Sequence, residues 1–252
     1  IVIAQSDQLV LNEDKFAELI SKGLDFVSGN SKLVVVGIKP TCPETRYGYI
    51  QIDGEPEEES LYKVRTFTEK PEYEFAKIFM ESGEFYWNSG LYIWNVQTII
   101  DTMSKHLPDM MKMLDDIYRE IPDRAQRRKR GHEVYTSFPN ASVDMSVMER
   151  ADNVYVMVGE FGWADIGTWD TLYGTLPKDS DGNVFIGCNT LKYDCHNNMV
   201  SLPKGKLLVI QDIDDLVIVD EGNILMVCKR GNEKDIRKFL NDAKMKLGEK
   251  FV

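Results

Sequence analysis

The chain has little cysteine or histidine: four of the first and three of the second in 252 residues. No two cysteines form a C-x-x-C pair, so a disulfide scaffold is not what organises the fold. Sparse thiols suit a reducing compartment, which gives a cytoplasmic expectation. Cys188, Cys195, His196 and Cys228 are candidates for a zinc site, but their spacing matches no common template, and buried thiols are the expected reading. His106, His132 and His196 lie in polar contexts, and no Ser/His/Asp set accompanies them, which argues against a nucleophile–histidine hydrolase. Apolar runs long enough to span a bilayer are missing. The opening Ile1-Val2-Ile3-Ala4-Gln5-Ser6-Asp7 lacks the basic segment and cleavage site of a signal peptide. Positive charge is in deficit, 30 Lys+Arg against 41 Asp+Glu, a net −11. Neither nucleic acid nor an anionic membrane is therefore an expected partner.

What is present is an ordinary globular composition, 43% hydrophobic and 28% charged, sufficient for one large domain or two modest ones. Ile1-Val2-Ile3-Ala4 reads as a buried parallel strand ending at polar Gln5-Ser6-Asp7. A chain that opens in mid-strand is expected to be a fragment, or to have lost an N-terminal part. Asn12 is a good cap for a helix with Phe16, Leu19, Ile20 and Leu24 on one face, closed by Gly29-Asn30. Leu33-Val34-Val35-Val36-Gly37-Ile38 is a second central strand, so a βαβ unit with parallel pairing of the Ile1 and Leu33 strands is expected.

Tyr47–Ile52 and Tyr62–Phe67 read as antiparallel strands around an acidic loop, Glu55 to Glu59. A helix from about Tyr73 to Ser82 should be broken by Phe85–Gly90, with a buried strand at Leu91–Trp94. A helical region from Val96 to about Ile117 is interrupted near Pro108. Arg119 to Arg130 reads as a solvated helix or loop. A short helix at Met145–Ala151, a strand at Val154–Val158 and a loop from Gly162 into a helix at Trp169 follow. After Leu176-Pro177 the texture changes to short strands between Asn, Asp and Gly turns, with no repeat period visible over several copies and a terminal helix from about Glu233 to Lys246.

Polar residues recur where the apolar strands end: Asp7, Glu69, Lys70, Asn88, Asp144 and Asp165. In open α/β sheets ligands bind at such ends. Each has a plainer reading, with Asp7 and Asp165 as helix caps, Glu69-Lys70 as a surface ion pair and Asn88-Ser89-Gly90 as a turn. As a set they combine carboxylates suited to Mg²⁺, a lysine suited to phosphate, and an amide and glycines suited to hydroxyls.

The ordered series Gly37-Ile38-Lys39-Pro40-Thr41, Tyr47-Gly48-Tyr49-Ile50, Phe67-Thr68-Glu69-Lys70-Pro71, Phe85-Tyr86-Trp87-Asn88-Ser89-Gly90-Leu91-Tyr92-Ile93-Trp94, Val143-Asp144 and Phe161-Gly162-Trp163-Ala164-Asp165-Ile166-Gly167-Thr168-Trp169 resembles mannose-1-phosphate guanylyltransferases, also called GDP-mannose pyrophosphorylases. The resemblance runs from about Ile1 to Asn183 and extends to the β-rich tail. It implies a Rossmann-like mixed sheet of the nucleotide-diphospho-sugar transferase type over residues 1–176 and a β-helix- or prism-like module over 177–252. It also implies a Mg²⁺-dependent transfer of GMP from GTP to mannose 1-phosphate, giving GDP-mannose and pyrophosphate. In that scheme Asp7 and Asp165 hold the metal, and Lys70 holds the sugar phosphate. Glu69, Asn88 and Asp144 bind sugar hydroxyls, and the backbone at Gly48 and Gly90 admits the sugar closely. A homodimer is expected, partly through exposed edges of the β module.

The series departs from the family in three places. The glycine-rich loop that cradles the nucleotide triphosphate is absent from these 252 residues, so the chain alone is expected to be inactive. Gln8 stands where the family has histidine, and Ala164 where serine is common. Two alternatives remain: a non-catalytic sugar-phosphate-binding or regulatory subunit, and a glycosyltransferase needing a D-x-D motif, for which Asp212-Ile213-Asp214 is the candidate.

Overall fold

The computed structural model describes residues 1–58, 60–232, 235–248 and 250. The chain divides into two compact units. The first comprises Ile1–Ser6 and Val10–Trp163, and the second Asp7–Leu9 and Ala164–Val252. The division lies upstream of the change in composition at Pro177.

The first unit is built on a six-stranded sheet in the order β1-β6-β3-β7-β5-β4. Its strands are β1 (Val2–Ile3), β3 (Leu33–Ile38), β4 (Tyr49–Ile52), β5 (Leu61–Thr68), β6 (Phe85–Trp94) and β7 (Val154–Gly159). All six β3 residues are buried, as a continuous apolar run between two strands demands. Alternation along the strands sorts the core onto two faces. Val34, Val36, Leu91, Ile93, Tyr155 and Met157 pack with Phe16, Leu19 and Val27 of α1 (Glu13–Ser28) and with Ala76 and Phe79 of α2 (Tyr73–Ser82). Leu33, Val35, Tyr92, Trp94 and Val156 pack on the other face with Ile99 and Met103 of α3 (Val96–His106). Val147 and Met148 of a π-helix, Asp144–Met148, join that second face. Full burial of each Val or Leu side chain stabilises by roughly 1.5–3 kcal/mol, so the sheet core dominates this unit.

Several expectations are corrected here. The Ile1 strand is neither buried nor paired with Leu33: β1 is an exposed edge strand, antiparallel to β6. β6 lies between β1 and β3 and is antiparallel to both, so no adjacent parallel βαβ pair forms. A strand some fifty residues downstream in sequence takes the place beside β3, and no local pattern around Ile1 encodes that choice. The parallel neighbour of β3 is β7. Phe85–Gly90 does not break the chain before a separate strand; Phe85–Trp94 is one strand. Gly90 at φ +71° and a register shift between Val35 and Gly37 absorb the irregularity. The short helix expected at Met145–Ala151 is the π-helix, beginning one residue earlier. Pro108 opens α4 (Pro108–Glu120) at its first turn, and α5 (Arg124–Tyr135) buries no residue, as a solvated helix should. Glu59, at the end of the acidic loop, lies outside the described residues.

In the second unit α6 (Trp169–Thr175) precedes stacked rungs: β9 (Val184–Ile186), β11 (Met199–Ser201) and β13 (Leu216–Glu221) pair in parallel, and β14 (Ile224–Lys229) closes the sheet as a hairpin. β10 (Asn189–His196) and β12 (Leu207–Asp214) form a second parallel wall. Here a repeat does exist. His196 aligns with Asp214, eighteen residues on. The left-handed corners Asp194 and Asn197 recur in the same register at Asp212 and Asp215. The repeat is carried by backbone conformation at Asp and Asn, residues that tolerate left-handed φ, and so escapes a search for similar side chains. Inside, Asn183 and Asn198 are fully buried and linked to each other and to the rung carbonyls of Cys195 and Ile213. The terminal helix α7 spans Ile236–Leu247; its expected start at Glu233 lies outside the described residues.

Candidate functional site

Six of the expected residues fall in the first unit, and contacts connect them into one constellation. Gly48 O accepts from Asn88 N–H at 2.8 Å. Gly48 leaves room for Glu69, since a Cβ there would lie 2.8 Å from Glu69 Oε2. Glu69 Oε1 pairs with Lys70 Nζ at 3.1 Å, with the lysine side chain 63% exposed. Lys70 itself has φ +45°, a left-handed conformation that costs a non-glycine residue about 1–3 kcal/mol and is characteristic of functional sites. Asn88 Nδ2 donates to Asp144 Oδ1 at 2.9 Å, and Gly90 N–H donates to Asn88 Oδ1 at 3.0 Å. The Gly90 backbone at φ +71° is faced by the Gln5 amide, which a Cβ would meet at 2.6 Å.

Two participants were not foreseen. Tyr92 Oη donates to Asp144 Oδ1 at 2.6 Å from a side chain only 5% exposed. Burial first, and then the Asp144 carboxylate, pushes its phenol well above the ordinary range. Tyr92 sits in an apolar alternation and reads as core; only its partner across the fold reveals a polar task. Glu149, just beyond the π-helix, is raised by desolvation and then by the Glu69 and Asp144 carboxylates, so it borders the same acidic pocket. Tyr47 adds an aromatic wall, edge-on to Trp87 at 5.2 Å and to Trp163 at 5.4 Å.

The second unit holds the other two residues. Asp7 and Asp165 were expected at the ends of central strands, and neither is there. Asp7 lies in the turn before β2 (Gln8–Val10), and Asp165 ends β8 (Trp163–Asp165); β2 and β8 make a separate two-stranded ribbon. Ile166 N–H donates to Asp7 O at 3.0 Å, which fixes the two aspartates at the same end of that ribbon. Neither caps a helix: Asn12 caps α1 and Thr168 caps α6. Their carboxylates converge over Gly167, where a Cβ would lie 2.9 Å from Asp165 Oδ1 and 3.4 Å from Asp7 Oδ2. Two hard oxygen donors around a space that only a missing side chain leaves open suit Mg²⁺, which keeps several waters and takes one or two carboxylates. Among the described residues no group of three or more His, Cys, Asp or Glu forms a metal cluster, so the zinc alternative at Cys188, Cys195, His196 and Cys228 is not assembled. His196 instead pairs with Asp214 at 2.9 Å.

A fold with a mixed sheet, a lysine-bearing polar edge and a paired-aspartate loop defines a nucleotide-handling transferase, and residues 1–182 match the Nucleotidyl transferase family. The chain belongs to that family. Among individual proteins, it is 31% identical over 239 residues to a mannose-1-phosphate guanylyltransferase of Escherichia coli, covering 94% of this chain and 51% of the relative. It is 28% identical over 250 residues to the mannose-1-phosphate guanylyltransferase of Salmonella montevideo, covering 97% and 52%. A crystal structure from Thermus thermophilus, titled a mannose-1-phosphate geranyltransferase, superposes with a TM-score of 0.85 at 26% identity over 96% of this chain and 69% of that one. The chain spans about half the length of the curated relatives it matches.

Proposed function

We propose that this chain carries the sugar-phosphate and metal functions of a mannose-1-phosphate guanylyltransferase, which converts mannose 1-phosphate and GTP to GDP-mannose and pyrophosphate. The observation that carries the reading is the connected constellation Gly48, Glu69, Lys70, Asn88, Gly90 and Asp144, in a chain whose relatives bear that name. Lys70 offers an exposed cation to the sugar phosphate, where it offsets charge that grows during transfer. Glu69, Asn88 and Asp144 offer acceptors and an amide donor to hydroxyls. Asp7 and Asp165 would hold Mg²⁺, which neutralises phosphate charge when bound. No protein nucleophile is required, because positioning and electrostatics carry phosphoryl-type transfers.

The test is to incubate the chain with mannose 1-phosphate, GTP and Mg²⁺, follow pyrophosphate release, and measure mannose 1-phosphate binding by calorimetry. Binding with turnover supports the full reading. Binding without turnover supports the sugar-phosphate site common to this reading and to the alternative of a non-catalytic subunit, since a chain without the glycine-rich loop is expected to be inactive, and no binding removes both. We also read the chain as a cytoplasmic homodimer. Leu191, Tyr193, Leu207 and Val209 are about half exposed or more on the paired strands β10 and β12, and the four cysteines form no disulfide among the described residues. A monomer in sedimentation at micromolar concentration would count against the dimer. No described helix is long and apolar enough to cross a membrane.

A further inference from the structure

Asp144 shows an asymmetry that the sugar-binding reading does not explain. Its Oδ1 accepts from two donors, Tyr92 Oη at 2.6 Å and Asn88 Nδ2 at 2.9 Å. Among the described residues its Oδ2 accepts from none. Asn88 is fixed as well. Gly90 N–H needs an acceptor and Asp144 a donor, so the two contacts settle which amide atom is oxygen. The Asn88 amide also hydrogen-bonds with Tyr92, so the three side chains form one closed triangle. The site therefore presents one acceptor oxygen, Asp144 Oδ2, held by a tyrosine that is 5% exposed.

We propose that Tyr92 is a positioning residue: its buried hydroxyl locks one oxygen of Asp144, so that the other is presented as a fixed acceptor for a ligand hydroxyl. Three features make the lock specific. Asp144 sits on a π-helix, whose extra residue per turn turns it off the ordinary helical register, and π-helical turns recur at functional sites. Tyr92 belongs to one buried cluster with Trp94, Ile99, Val147 and Met148, and its ring centroid lies 4.9 Å from that of Trp94, so close packing restricts the ring. A buried phenol that stays protonated is a permanent donor, so the Asp144 oxygen it meets acts as an acceptor. The ligand group at Oδ2 must then be a donor, which a sugar hydroxyl is and a carbonyl or ether oxygen is not. Without the anchor the carboxylate could rotate, and the acceptor would no longer be held in one place.

The inference rests on the sugar-phosphate reading, and the experiment separates the two. Mannose 1-phosphate binding to the whole chain is measured by calorimetry for the unsubstituted protein, Tyr92→Phe, Asp144→Asn and the double variant, with melting temperatures alongside. Tyr92→Phe should weaken binding about tenfold, the worth of a hydrogen bond to a charged group. On the Asp144→Asn background the same change should alter binding by less than about twofold, because the two residues act as one unit. A series of monodeoxy mannose 1-phosphates sharpens the result: the analogue lacking the hydroxyl held by Asp144 should bind Tyr92→Phe and the unsubstituted chain alike. Should Tyr92→Phe not fold, Asp144→Glu moves the carboxylate one methylene from both anchors and should lose affinity comparably. Unsubstituted protein that binds with Tyr92→Phe equally tight, or losses that add and are uniform across the deoxy series, overturns the positioning role while leaving the function standing. No binding by the unsubstituted chain overturns both.

Discussion

The two units solve recognition in opposite ways. In the first, Asn88, Asp144 and Tyr92 are hydrogen-bonded to one another and anchored on a sheet whose central strand is wholly buried. In the second, Asp7 and Asp165 converge over Gly167, and Asp165 accepts one backbone bond from Gly167 N–H at 2.9 Å. The first arrangement is held by the protein's own donors and leaves Asp144 Oδ2 open. The second juxtaposes like charges that are stable together chiefly when a cation lies between them. The first set is thus preorganised by side-chain donors, whereas the paired aspartates receive little charge compensation from protein side chains.

Four outcomes would break or sharpen this contrast. The largest effect belongs to the scaffold under the first cluster: Val35→Asp places a charge at a site with no solvent exposure and should cost more than about 4 kcal/mol. Hydrogen exchange should then report loss of protection across β3, β6 and β7; retained protection would show that the buried strand is not what holds the network. Next is Asn198→Ala in the second unit, which removes the side-chain partners of Leu216 N–H and Ile213 O, leaves Asn183 Oδ1 only the Asn198 backbone N–H, and should cost about 3 kcal/mol by urea unfolding. A neutral result would mean that the rungs do not depend on their buried amides.

Asp7→Asn should lower turnover of an active enzyme at least about 100-fold while changing mannose 1-phosphate affinity less than about threefold. Equal loss of both would erase the division of labour between the units. The smallest effect is a pH term. Tyr155, buried and donating to Glu57 Oε1 at 2.8 Å, is pushed up to about 12 by burial first and then by Glu57. Unfolded tyrosine loses its proton near 10, so the folded chain binds more protons in the window between. This stability is fully present below pH 10 and falls by about 2 kcal/mol as pH rises through 12. Urea midpoints at pH 9 and 11.5 should show the slope, and Tyr155→Phe should reduce it, leaving the share of other raised tyrosines such as Tyr92.

Much of the site was legible as residue types in order. Glu69-Lys70-Pro71, Asn88-Ser89-Gly90 and Asp165 stand out because polar residues interrupt apolar strands. Tyr92 was not legible, because an inward tyrosine in an alternating strand has the same pattern whether or not its hydroxyl has a partner, and that partner is fifty-two residues away. The eighteen-residue rung spacing was hidden for a related reason, since Asp194, Asn197, Asp212 and Asp215 repeat a conformation more than a sequence.

The sequence by itself determined the local elements and the chemistry on offer. Periodicity set the α1 and α2 faces, Asn12 and Gly29 set the ends of α1, and the apolar run at Leu33–Ile38 set a buried strand, because each depends on neighbours within a few residues. Tertiary structure alone decided which strands are neighbours and which side chains meet. It seated β6 between β1 and β3, moved Asp7 and Asp165 from the central sheet to a ribbon end, and set Tyr92 on Asp144. Those outcomes depend on register and close packing between segments far apart in the chain, where many pairings satisfy the same local pattern and only the complete core selects one.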